Sequence, residues 1–89
     1  MKVGDVVVSV QGHDMGEWYI VSDVIGEFAY LIDGKLKPIS KPKKKKIKHI
    51  LKINQNANEI AQKLTLGQYL QDAEVRKTLK FFKNNFRSE

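Results

Sequence analysis

Residues 18–35 read WYIVSDVIGEFAYLIDGK (Trp18 to Lys35), and this stretch decides the fold class. Trp18 to Ile25 is dense in aromatic and β-branched residues, Gly26-Glu27 interrupts it, and Phe28 to Ile32 resumes it. Such side chains favour a pleated, half-buried surface, so two runs around a short polar break predict a hairpin. Asp33-Gly34 then stands between Leu31-Ile32 and Lys35-Leu36. Asp-Gly between apolar pairs predicts a further tight turn, because a type I′ turn needs positive φ at both central positions.

Towards the N-terminus, Val6, Val8 and Val10 alternate with Val7 and Ser9, the period-2 pattern of a half-buried strand. Gln11 to Gly16 carries two glycines where a turn needs permissive backbone. On the other side, Pro38 and Pro42 restrict their segment to a loop or a sheet edge, since proline donates no ladder hydrogen bond. Lys46 to Ile53 predicts a last strand, with Ile47, His49, Leu51 and Ile53 on one face and Lys46, Lys48, Ile50 and Lys52 on the other. Five short strands with tight turns predict a small antiparallel barrel over residues 1–53.

From Asn54 the texture becomes helical. Asn58 is placed to cap a short helix carrying Ile60, Ala61 and Leu64. Thr65-Leu66-Gly67-Gln68 fits a capping box and predicts a second helical turn with Leu66, Tyr69, Leu70 and Ala73 on one face. A final helix starts near Asp72, its expected N-cap, and aligns Val75, Leu79, Phe82 and Phe86 in a stripe about 60° wide. The expected architecture is mainly β with C-terminal α: a five-stranded antiparallel barrel, then two or three short helices over residues 54–89 that pack on or near it.

Composition narrows the function. A chain of 89 residues is one small domain that buries about two-thirds of its unfolded surface, which leaves one modest core and no large lidded cavity. Without cysteine there is no disulfide framework, Cys-based zinc site or thiol catalysis, and His13 and His49 are too few for a His-only metal cluster. The start Met-Lys-Val-Gly-Asp lacks the apolar run of a secretory signal, and no apolar stretch approaches the ~18 residues that span a bilayer, so a cytoplasmic protein is expected. Ser9, Ser22, His13, Asp14 and Asp23 hold the letters of a catalytic triad without a nucleophile elbow, and no phosphate-cradling loop is present. A non-catalytic protein without cofactor or metal is the expectation.

The net charge of +6, from sixteen Lys+Arg against ten Asp+Glu, is unevenly spread. Residues 1–33 hold one lysine and six acids, residues 34–58 hold nine lysines and no acid, and residues 59–89 hold six cations and four acids. A dense cationic block on a chain with an acidic first third points to a polyanionic partner. Lysines supply point charges without the bidentate fork that arginine uses on guanine, which argues for recognition of backbone and shape, as in folded RNA.

Val8-Ser9-Val10-Gln11-Gly12-His13-Asp14-Met15-Gly16, followed by Val21 and Val24, resembles the KOW motif, in which a glycine loop joins the first two strands of an SH3-like barrel. With Tyr30-Leu31-Ile32-Asp33-Gly34-Lys35 and then Lys43-Lys44-Lys45-Lys46-Ile47-Lys48-His49, the chain resembles bacterial KOW-domain RNA-binding proteins related to a large-subunit ribosomal protein family of archaea and eukaryotes. The resemblance covers residues 2–53 well and the helices loosely. It departs at Tyr19, where many KOW motifs carry a glycine, and at Glu17, where many carry a lysine. It implies an SH3-like barrel, RNA as partner, with large-subunit rRNA as the expected target and ribosomal proteins as further partners, and a role in translation.

The expected RNA-binding residues are therefore Lys35, Lys37, Lys41, Lys43, Lys44, Lys45, Lys46 and Lys48 as phosphate anchors. Gly12, His13 and Gly16 make a closer loop contact, and Arg76, Lys80, Lys83 and Arg87 form a basic helix edge that extends the footprint. Most of Trp18, Tyr19, Phe28 and Tyr30 are expected in the core, with room for one or two as a stacking platform. The competing expectation is a protein-interaction module of the translation or transcription machinery, with the Val75 to Phe86 stripe and the acidic first strands binding a protein. Docking on an anionic membrane would need a wider apolar face than that stripe provides.

Overall fold

The computed structural model describes residues 1–86. Five strands, β1 (Asp5–Ser9), β2 (Trp18–Ile25), β3 (Phe28–Ile32), β4 (Lys43–Lys46) and β5 (Ile50–Asn56), form one open antiparallel sheet in the order β4-β3-β2-β1-β5. A 3-10 turn over Ile47–His49 carries the chain from β4 at one edge to β5 at the other. Two helices follow, α1 (Asn58–Thr65) and α2 (Asp72–Asn85). Among the described residues no helix is long and apolar enough to cross a membrane.

The sheet is buried on both faces over β1 to β3. Val7, Tyr19, Val21, Ala29, Leu31 and Ile50 pack on one face. Val6, Ile20 and Ile32 pack on the other, against Ile53, Ala57, Ile60, Val75 and Leu79. The half-buried pattern expected for β1 is therefore corrected: Val6 and Val7 point to opposite faces and both are wholly buried, because the helices cover the second face. Each such buried aliphatic side chain contributes about 1.5–3 kcal/mol relative to exposure, so the helices are part of the core and not an appendage.

The β2–β3 hairpin forms as expected around Gly26-Glu27, with Ile25 opposite Phe28. Its register slips between Val21 and Asp23, a bulge that the Ser22 hydroxyl secures by donating to the Tyr30 carbonyl at 3.1 Å. Asp33-Gly34 does not make the expected two-residue turn. The Asp33 carboxylate accepts the backbone N–H groups of Lys35 and Lys37, each at 2.8 Å, and folds a wider loop in which no strand forms at Lys35-Leu36.

The lysine run is itself strand β4, and the strand expected over residues 46–53 is split by the 3-10 turn. Chain crossing from one sheet edge to the other breaks the period-2 pattern. Ile50 and Ile53 are the buried residues of β5, while Leu51, expected to share a face with Ile53, is 59% exposed. The odd spacing puts Ile50 and Ile53 on opposite faces of the sheet, and the β1–β5 register slips between Asp5 and Val7. β5 runs on to Asn56, three residues past the expected end of the barrel.

Helix α1 starts at Asn58 with Ala57 in the N-cap position and buries Ile60. The expected capping box at Thr65 fails. Thr65 is the last residue of α1, and Gln68 N–H bonds back to the Lys63 carbonyl at 2.8 Å, closing the helix end through Gly67. The segment up to Gln71 is non-helical, with Leu66 and Tyr69 exposed. α2 begins at Asp72 as expected, but Gln71 is its N-cap residue, and the Asp72 carboxylate instead accepts Ile39 N–H at 2.8 Å. The stripe packs as expected: Val75 and Leu79 are buried, Phe82 is half-buried, and Phe86 meets Trp18 edge-to-face with centroids 5.3 Å apart.

Candidate nucleic-acid interface

Strand alternation sorts the four lysines of β4 into two pairs. Lys44 lies opposite Tyr30 and Lys46 opposite Phe28, and both lysines are exposed. The Lys44 ammonium sits 4.3 Å from the centroid of the Phe28 ring, a cation–π contact on the sheet's outer surface. Phe28 and Tyr30 are half-buried, so their remaining surface adjoins these two cations.

Lys43 and Lys45 face the other way, towards the loop between β1 and β2. Lys45 Nζ donates to the Asp14 carboxylate and to the Gln11 carbonyl, both at 2.7 Å, and Lys43 Nζ lies 3.2 Å from the second Asp14 oxygen. Ser9 and Tyr19 hydroxyls also donate to Asp14, each at 2.9 Å. Burial alone pushes the Asp14 carboxyl up, but the bonds from Lys45, Ser9, Tyr19 and Lys43 outweigh it and hold it well below the usual carboxylate range. Tyr19 is pushed far above the ordinary phenol value by burial first, then by its bond to Asp14 and that carboxylate's charge. Two expected phosphate anchors are thus ion-paired within the protein, and Ser9 serves Asp14 and the Gln11 carbonyl rather than a histidine.

The glycine loop is closed on itself. Met15, Gly16 and Glu17 donate their N–H groups to the carbonyls of Gly12, Ser9 and Asp14. Gly12 and Gly16 both have positive φ, 97° and 91°, and His13 is exposed at the tip. The loop's hydrogen bonds and its Asp14 tether make it a rigid projection beside β4.

Four of the remaining cations share a second surface. Lys35, Lys41 and Lys48 are exposed and Lys37 is half-buried. Arg76, Lys80 and Lys83 are exposed along α2, and Arg76 donates to the Gly34 carbonyl at 2.6 Å, pinning the loop after β3 to the helix. Lys35, Arg76, Lys80 and Lys83 line one open groove of about 460 Å³ together with Trp18, Glu17 and Asp33. Arg87 lies outside the described residues.

Of the expected residues, the structure brings together Lys44 and Lys46 on β4, with Lys48 beside Lys46, and separately Lys35, Arg76, Lys80 and Lys83 beside α2; Lys37, Lys41 and the Gly12–Gly16 loop belong to neither group. Phe28, Tyr30 and Trp18 are expected mostly in the core, with one or two left as a stacking platform, and the sequence does not say which of them stand beside lysines. Their adjacency to lysines depends on strand register and helix docking, which no local sequence signal encodes. No protein-family model matches this chain, and no curated protein sequence matches it.

Proposed function

We propose that this protein is a non-catalytic RNA-binding protein, an SH3-like barrel of the KOW type acting on rRNA of the large ribosomal subunit. The observation that carries this reading is the outer face of β4. Lys44 and Lys46 stand exposed beside Phe28 and Tyr30, and among the described residues neither has a carboxylate in ion-pair reach. Cations interleaved with aromatic rings suit a phosphate backbone with adjacent bases, and lysine point charges suit shape more than sequence. Strand order supports the barrel assignment: a meander from β1 to β4 and a 3-10 turn returning the chain to pair β5 with β1 is the SH3-like path. The glycine loop between β1 and β2 is where a KOW motif has its loop.

Co-sedimentation with large ribosomal subunits over a salt series tests it. A Lys44→Gln/Lys46→Gln/Lys48→Gln variant should release at lower salt, with a log–log slope shallower by about 2 for three lost phosphate contacts. Identical sedimentation of variant and wild type at every salt concentration overturns the reading.

A protein-interaction module is the second reading, favoured by Phe81. That ring is 61% exposed over an open groove shared with Ala57, Ile60 and Lys77. Val75 and Leu79 are committed to the core, so of the stripe only Phe82 and Phe86 keep surface for a partner, beside Phe81. Phe81→Asp should then abolish a pull-down of that partner and leave bare-RNA affinity intact.

A further inference from the structure

The groove between α2 and the start of β2 shares no residue with the β4 face, yet it gathers the same chemistry. Four cations line it, Lys35, Arg76, Lys80 and Lys83, against the two carboxylates of Glu17 and Asp33. Asp33 is already committed to the N–H groups of Lys35 and Lys37, and Arg76 to the Gly34 carbonyl. Lys35, Lys80 and Lys83 have no carboxylate in ion-pair reach among the described residues. Lys80 and Lys83 are three residues apart on one helix, so their ammonium groups project from the same edge.

The opposite wall is aromatic. Trp18 is half-buried, its indole held edge-to-face by Phe86, and it is the only tryptophan of the chain. Glu17 stands next to it and repels phosphate from that wall, so a bound strand is oriented with its charge towards the helix. At about 460 Å³ the groove falls in the range of about 300–1,000 Å³ typical of small-molecule sites.

We propose that this groove holds an unpaired nucleotide of single-stranded RNA, its base against Trp18 and its flanking phosphates on Lys80, Lys83 and Lys35. The proposal rests on the RNA-binding reading above and adds a contact that needs an open base face, which a duplex stem does not offer. An acidic peptide would satisfy the lysines but offers nothing to the indole.

Trp18 reports on its own site. Full-length protein is titrated with decauridylate while Trp18 fluorescence is followed, and the anisotropy of labelled decauridylate is read in parallel. Saturable quenching with the same midpoint as the anisotropy change is expected. Lys80→Gln/Lys83→Gln, two exposed positions, should move both midpoints to about tenfold higher RNA and make the salt slope shallower by about 1.4. Oligoglutamate should leave the fluorescence unchanged. RNA binding without quenching, or with unaltered midpoints in the double variant, overturns the groove and leaves the β4 reading standing. Equal quenching by oligoglutamate assigns the groove to acidic peptide and also overturns it. Failure of both decauridylate and rRNA fragments to bind at low salt overturns both readings together.

Discussion

The ammonium of Lys45 lies 2.7 Å from the carboxylate of Asp14, thirty-one residues earlier in the chain. This pair ties edge strand β4 to the loop between β1 and β2, and with Lys43, Ser9 and Tyr19 it fills one end of the sheet with a satisfied polar network. Among the described residues no buried side-chain polar atom lacks a partner.

Asp14→Asn removes the negative centre of that network while keeping its shape. The Asp14 carboxyl titrates below its ordinary value of 3.8 in the folded state, so its contribution is complete above that value and is lost as the pH falls through the folded one. The variant should be less stable by about 1–2 kcal/mol at pH 7, a modest figure because the asparagine keeps part of the hydrogen bonding and Lys43 reaches solvent. Urea unfolding at a series of pH values should show the gap to wild type closing below pH ~4. A gap that persists into strong acid would mean that the asparagine fails by geometry and not by charge.

The two pairs of β4 lysines should behave differently despite being neighbours in sequence. Lys44→Gln/Lys46→Gln should leave stability within about 0.5 kcal/mol and lower the salt slope of RNA binding by about 1.4–1.8. Lys43→Gln/Lys45→Gln should lower the melting temperature and change that slope little. RNA filter binding over a salt series, with thermal melts of wild type and the two double variants, separates the pairs.

Gly34 sits where the loop after β3 meets the first turn of α2. Its φ is 75°, and a Cβ there would collide with the Asp72 carbonyl oxygen and press on Arg76. Gly34→Ala should cost about 3 kcal/mol or more, from strain plus the clash. Gly26→Ala, at a φ of 59° with open space around it, should cost only about 1–2 kcal/mol. Chemical denaturation of the two variants gives the comparison, and equal losses would show that backbone conformation alone matters at Gly34.

Asp72 bridges thirty-three residues to accept Ile39 N–H at 2.8 Å. Asp72→Ala removes the bond to Ile39 and a negative charge from the first turn of α2, and should destabilise by about 1–2 kcal/mol, with faster hydrogen exchange at Ile39 and at that turn. Exchange confined to the helix turn would show that the loop does not depend on this bond.

Local physics in the sequence was enough for β1, β2, β3 and α2. Their runs of Val, Ile and aromatic residues, the Gly26-Glu27 break and the Val75–Leu79–Phe82 stripe act through neighbours a few residues away, and each element formed where its pattern put it. The sequence by itself also determined where the cations are dense. What tertiary structure alone decided is which of them face outwards. Asp14 claims Lys43 and Lys45, Asp72 claims the Ile39 amide, and the crossing from β4 to β5 breaks the strand that alternation predicted over residues 46–53. Each outcome depends on a partner some thirty residues away or on the path between sheet edges, and a lysine in a run of lysines carries no local mark of the face on which it will lie.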